Sequence, residues 1–225
     1  MIIERRALLA TAALAPLLAL PGCAGGQGFS LVEAIRRLLT LASHRAFAAL
    51  MQENGFFDSQ IARISVPDRL GGAMTGGVIA ALLRTEAFQS RLMRQVNRAA
   101  EKGAALAAPI VMDAISSLSI EDALSVIRGG SSAATDKLST ALGTRLVEAM
   151  LPGISDGLRL FDSAVVTQAL KIATGIDFSG LRDDVTRKTS EGIYRAMANE
   201  EAAIRANPNA TGDPLLMAVF GLARR

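Results

Sequence analysis

Along most of the chain apolar residues recur every three or four positions, the spacing that lines one face of an α-helix, while runs alternating every second residue are scarce. Residues 30–52 carry Leu31, Ile35, Leu38, Leu39, Ala42, Ala46 and Leu50 as one stripe. Ser30 serves as the cap and Asn54-Gly55 as the stop. Residues 56–66 are too irregular for a helix and predict a short extended arm that packs its Phe, Ile and Val. Pro67 then opens a helix as a first-turn proline. Gly71-Gly-Ala-Met-Thr-Gly-Gly77 reads in two ways. Glycine costs ~1 kcal/mol against alanine inside a helix, so the stretch is a loop or tight packing, or else a hinge or groove admitting another backbone.

The pattern turns helical again over 85–103, with Phe88, Leu92, Val96 and Ala99 inward. Ala108-Pro109 marks a new helix running to Ser117, and Ser119-Ile-Glu-Asp122 an amino-terminal cap with Asp122 in the first turn. That helix stops at Gly129-Gly130 and the next begins at Ser131-Ser132. Helices continue to Leu151, then over 155–174, 181–206 and 214–222, joined at Gly and Pro. The expected fold class is all-α, a single multi-helix, bundle-like domain.

The first residues follow a different pattern. Arg5 and Arg6 precede a 14-residue uncharged run, 7–20, too short to span a bilayer and suited to the apolar region of an export signal. The chain's one cysteine, Cys23, follows directly, ahead of a glycine-rich stretch. Leu20-Pro-Gly-Cys23 resembles the lipobox of bacterial lipoproteins. That resemblance implies a diacylglycerol on the cysteine sulfur, cleavage before Cys23 and acylation of the new amino terminus. Ala24 after the cysteine implies sorting to the outer membrane. Several acyl chains, palmitate being typical, give the stable attachment that one chain cannot. Ordinary cleavage after Ala24 is the other reading, and leaves a soluble periplasmic protein. The division is then a signal peptide at 1–22, a tether at 23–28 and a helical domain at 29–225.

Charge narrows the partners. The net charge is +3, and removing the leader leaves +2; there is no Trp and one Tyr. A nucleic-acid reader shows stacking aromatics among clustered bases, so no nucleic-acid partner is expected. Arg84, Arg91, Arg94, Arg98 and Lys102 do fall on one helical face, as a stripe facing an acidic partner or head groups, or else solvated and paired within the fold.

Catalytic patterns are thin. Gly153-Ile-Ser-Asp-Gly157 fits a nucleophile elbow, but that motif needs a strand-to-helix turn and a following histidine, and the sole histidine is His44. The stretch reads as a helix-joining turn. His44 has no second histidine or thiol to complete a metal site, and no metal or cofactor is expected. Arg128, Gly129, Gly130, Ser131 and Ser132, with Thr135, offer backbone N–H groups and hydroxyls at a helix start, a place that holds anions. A plain turn with a glycine stop and a serine cap is the alternative. Glu200 falls among Val185, Thr189, Ile193, Met197 and Ile204 on the last long helix; a carboxylate there needs a partner, such as Arg128, or is a functional acid. Glu201 and Arg205 read as solvated. The expectation is a non-enzymatic protein that binds an envelope protein or component, with a small-ligand or anion pocket near Arg128 to Thr135 and Glu200 as the alternative.

Four stretches carry a family resemblance. They are Asp113-Ala-Ile-Ser-Ser-Leu-Ser-Ile-Glu-Asp-Ala-Leu-Ser-Val-Ile-Arg-Gly-Gly-Ser-Ser-Ala-Ala-Thr-Asp136, Gly55-Phe-Phe-Asp-Ser-Gln-Ile-Ala-Arg-Ile-Ser-Val-Pro67, Asn97-Arg-Ala-Ala100, and a late helix from Val185-Thr-Arg-Lys through Glu200-Glu-Ala-Ala-Ile-Arg-Ala-Asn-Pro208. Together they resemble the domain-of-unknown-function family 4197, bacterial, mostly helical, exported proteins, often with a lipobox. The resemblance implies fold and location; it carries no activity.

Overall fold

The computed structural model describes residues 30–65, 81, 85–164, 166–168, 171, 175 and 177–222. The signal, Cys23, the tether, Pro67, Gly71 to Gly77 and Arg84 lie outside these residues. Among those described the fold is helical, with no strand. Helix α1 spans Leu31–Leu50, and the Ser30 hydroxyl accepts from the Glu33 N–H at 3.3 Å as the cap. Helix α2 is one turn, Gly55–Asp58. The arm expected at 56–66 is therefore helical at its start and loses regular structure by residues 63–65, although Phe56 and Ile64 are buried as expected.

Helix α3 runs unbroken over Glu86–Ser117, with Thr85 capping the Phe88 N–H. The separate helix expected from Pro109 does not exist. Proline removes one N–H and leaves the carbonyl four residues back without a donor. Here Pro109 and Ala105 are both exposed, so water can serve that carbonyl. Helix α4 is Ala123–Arg128; Asp122 is its cap rather than a first-turn residue, accepting from the Ser125 N–H at 3.0 Å. Helix α5 is Ala133–Leu142, and helix α6, Arg145–Gly157, carries the exposed Pro152 inside it in the same manner. A 3-10 turn at Arg159–Phe161 follows, so no helix begins at Ser155. Helix α7 is Phe178–Ala206, capped by Asp177, and after a 3-10 turn at Pro208–Thr211 comes helix α8, Pro214–Leu222.

Helix α3 is the spine, packing most extensively on α6 and also on α1 and α7. The α3–α6 contact is close because small residues face each other: a Cβ on Gly157 would lie 2.5 Å from Ala99 Cα, and one on Gly153 2.7 Å from the Lys102 carbonyl oxygen. The two glycines of the G-x-S-x-G pattern thus sit inside a helix, where they let two backbones approach. They do not form a turn, and Ser155 is not presented on an elbow.

Four polar contacts show the helix directions. The Arg36 guanidinium donates to the Leu118 carbonyl at the start of α1, and Arg98 pairs with Glu53 just past its end, so α1 and α3 are antiparallel. Helices α1 and α7 are antiparallel as well: Arg37 meets Asp213 beyond α7, while Ser43 faces Met197. The domain therefore has two ends about 30 Å apart, the length of α1 at 1.5 Å per residue. The chain enters at the Ser30 end; Glu53, the arm and Arg98 lie at the other.

Candidate functional site

At the helix start in 128–135, read either as an anion holder or as a plain turn, the N–H groups are taken by a carboxylate of the chain itself. Glu201, on α7, is fully buried, and one carboxylate oxygen, Oε1, accepts from the Ala134 N–H at 3.0 Å. The other, Oε2, accepts from the Thr135 N–H and Thr135 hydroxyl, both at 2.7 Å. The first N–H of α5, on Ala133, donates to the Gly130 carbonyl, and that of Asp136 to the Ser132 carbonyl. The N–H groups of Ala133, Ala134 and Thr135, open donors at the start of α5, are all satisfied, and the Asp136 bond is the first of the ordinary helical ones. Negative charge at that end also suits the helix dipole.

One turn on, Arg205 completes the arrangement with opposite sign. Its Nε donates to Glu201 Oε1 at 2.8 Å, while Nη1 and Nη2 donate to the Ile127 and Val126 carbonyls at 2.9 and 3.0 Å. The guanidinium lies 4.9 Å from the centroid of the Phe220 ring. The cation closes the carbonyl end of α4 and the anion the N–H end of α5, locking the Gly129-Gly130 turn between them. A Cβ at Gly129 would meet Ala133 Cβ at 2.7 Å and the Ser125 carbonyl at 2.9 Å, which is why the turn needs a glycine there.

Two sequence expectations fall here. Glu200 is not the buried acid: it is partly exposed and makes a loose 3.7 Å ion pair with Arg45. The seam of α7 follows the i, i+4 row 185, 189, 193, 197, which reaches Glu201 and then Arg205, one position beyond the residue chosen from the averaged face. Arg128 is not the partner either; it is exposed, as are Gly129, Gly130 and Ser131, and Arg205 takes its place. Ser132 donates to Asp136 Oδ2 at 3.0 Å. The predicted set brings together only Thr135 and the N–H groups. The sequence held one signal for the true pair, the i, i+4 spacing of Glu201 and Arg205, the orientation that favours an ion pair on a helix.

A second buried polar clamp holds the arm. Asn97, fully buried on α3, accepts the Ile64 N–H at 2.9 Å and donates to the Ile64 carbonyl at 3.0 Å. The side-chain amide thus pairs with one residue of the arm as a neighbouring strand would. On the other flank Gly192 admits the arm, a Cβ there lying 3.1 Å from the Ala62 carbonyl oxygen, and Lys188 donates to the Ser65 carbonyl at 3.2 Å.

Of the basic stripe, Arg91, Arg94, Arg98 and Lys102 are all exposed, but its lower half is neutralised. Arg98 pairs with Glu53 at 3.2 Å and Lys102 with Asp156 at 2.6 Å. Lys102, then Arg159, holds the Asp156 carboxyl below its ordinary range. Arg91 and Arg94 make no ion pair with a described residue. Beside Glu53 opens a cleft of about 370 Å³ between the end of α1, the arm and α7. Its floor is Ala46, Ala49, Leu50 and Ala196; its rim carries Glu53, Asp58 and Glu200, with no basic residue in the lining. His44 is exposed. Among the described residues no group of three or more His, Cys, Asp or Glu could hold a metal, and no helix is long and apolar enough to cross a membrane.

Residues 27–221 match the family described as "Protein of unknown function (DUF4197)". The chain belongs to this family. Neither the curated proteins nor the solved structures give a match.

The four stretches that resemble DUF4197 are the ones these clamps join. Glu201 and Arg205 on the late helix hold the central stretch at Val126, Ile127, Ala134 and Thr135, and Asn97 and Gly192 hold the arm at Ile64 and Ala62. Asn97, Thr135 and Glu201, buried polar residues of these stretches, are engaged in building the domain. The Glu201 carboxylate, with four donors and no exposure, is taken up in closing the α4–α5 turn.

Proposed function

We propose that the chain is a non-enzymatic lipoprotein of the bacterial cell envelope, exported and held by acyl groups on Cys23 at the periplasmic face of the outer membrane. Its helical domain binds a protein or other envelope component. The observation that carries this reading is Leu20-Pro-Gly-Cys23 at the end of an uncharged run and ahead of a glycine-rich stretch. The non-enzymatic part is supported by the full engagement of Glu201, the one fully buried acid among the described residues, in hydrogen bonds within the fold.

The geometry supports a division of labour between the two ends. The chain enters the domain at Ser30, whereas the exposed Arg91 and Arg94 lie beyond Glu53, about 30 Å away. A patch at that distance suits a partner better than the anchoring head groups. Replacing Cys23 by serine tests the anchor: the wild-type chain is expected in the membrane fraction and Cys23→Ser in the soluble periplasmic fraction. A wild-type chain found soluble would overturn the lipoprotein reading. Reversing charge at Arg91 and Arg94 is expected to abolish partner capture, and undiminished capture would remove the patch from the reading.

A further inference from the structure

We infer that the partner of the arginine patch is a second copy of this chain, whose acidic cleft receives Arg91 and Arg94. The inference rests on the reading that this end of the domain is a contact surface, and not on the anchor. Three observations carry it. The cleft is concave, has an apolar floor and bears three acids: Asp58, which makes no ion pair with a described residue, and Glu53 and Glu200, held only in an exposed pair with Arg98 and a loose 3.7 Å pair with Arg45. Arg91 and Arg94 are exposed and unpaired among the described residues. The two surfaces adjoin, because Glu53 on the cleft rim is the residue that pairs with Arg98 on the stripe.

A basic patch and an acidic cleft side by side on one surface are self-complementary under a two-fold rotation. An axis near the Glu53–Arg98 pair lays the arginines of each copy over the cleft of the other, the isologous arrangement that closes after two subunits. The cleft also faces the carbonyl end of α1, where the helix dipole favours a cation. Ile61, 40% exposed, lines it, and Met51, 42% exposed, stands in the chain between its lining residues Leu50 and Gln52; contact with a second copy would cover both. Exposed ion pairs are individually weak and salt-screened, so the pairing is salt-sensitive and reversible.

A charge swap tests this. Two differently tagged copies of the full chain are co-expressed and one tag is captured at low salt. The first variant carries Arg91→Glu with Arg94→Glu; the second carries Asp58→Lys with Glu200→Lys. Wild type is expected to recover wild type, and recovery falls by at least about tenfold in 1 M salt, where charges are screened beyond about 3 Å. Neither variant recovers itself, since each now opposes like charges at both contacts. The first variant recovers the second, because both contacts become attractive again; this rescue also shows that the variants are folded. Failure of wild type to recover itself at low salt would overturn the inference, as would self-recovery by either variant or absence of rescue. If the first variant loses a different envelope partner while wild type never recovers itself, the contact-surface reading stands and self-pairing fails.

Discussion

Replacing Glu201 by alanine removes one carboxylate and leaves three problems in the core. The Ala134 and Thr135 N–H groups lose their acceptor, the Arg205 guanidinium loses its counter-ion while only partly exposed, and a void opens on a fully buried position. Breaking a buried ion pair by removing one partner costs about 3–5 kcal/mol, and each orphaned buried donor costs about 1–3 kcal/mol on its own. These overlap rather than add, so about 3–5 kcal/mol is the expected loss, a large share of the roughly 5–15 kcal/mol that holds a domain together. The neighbouring Glu200→Ala is the control. Its ion pair with Arg45 is 3.7 Å long, with side chains 40% and 30% exposed, so the loss stays below about 1 kcal/mol. Urea unfolding followed by helical circular dichroism measures both, tryptophan fluorescence being closed to a chain with no Trp. With slopes of about 1–3 kcal/mol per molar urea, the Glu201→Ala midpoint should fall by about 1 M or more. A loss under about 1 kcal/mol for Glu201→Ala, or an equal loss for Glu200→Ala, would refute the closure of the α4–α5 turn by this residue.

Other substitutions separate packing from polar anchoring. Gly157→Ala should destabilise by about 1–3 kcal/mol, although alanine is the better helix former, because its Cβ would press on Ala99 Cα at 2.5 Å; Gly130→Ala, with open space around it, should not. Thermal unfolding of the two variants decides this, and a stabilised Gly157→Ala would disprove the close α3–α6 contact. Asn97→Ala should release the arm: the Ile64 amide should lose its protection against hydrogen exchange, with about 2 kcal/mol lost overall, and unchanged protection would deny Asn97 that role. Glu101 is governed by burial, which raises its pKa against the opposing pull of Arg98 and of the Phe56 and Asn54 N–H groups. A carboxyl raised in the fold leaves the domain most stable below the ordinary glutamate value and costs stability as pH rises through the raised one. Glu101→Gln should therefore melt higher than wild type near pH 7 and the difference should vanish near pH 3.5, below the ordinary value of about 4.3; an equal difference at both would contradict it.

The helices were largely legible because their apolar stripes decide them. Ser30, Leu38 and Leu39 read the same in sequence and structure, and so does the stop at Gly129. Local breakers misled where tertiary context overrode them. Pro109 and Pro152 each sit on an exposed face, where the carbonyl deprived of its donor belongs to the exposed Ala105 or Glu148. Gly153 and Gly157 carry no mark distinguishing a turn from a helix contact; their meaning lies in Ala99 and Lys102, some fifty positions earlier. The buried acid was missed by one position. A straight projection averages a face over the whole helix, while packing follows the drifting i, i+4 row, and at its far end that drift decides between Glu200 and Glu201. The acidic cleft could not be read at all, since it assembles Glu53, Asp58 and Glu200 from two ends of the chain.

The Glu201–Arg205 and Asn97 clamps act as parts of a scaffold within the stretches that resemble DUF4197, and the proposed function rests on the proposed anchor and the exposed end. The most direct test of that account is the intact mass of the mature chain taken from its native membrane. We predict a polypeptide beginning at Cys23 and carrying diacylglycerol and a further acyl chain. An unmodified chain beginning at Gly25 would contradict it and make the domain a soluble periplasmic protein.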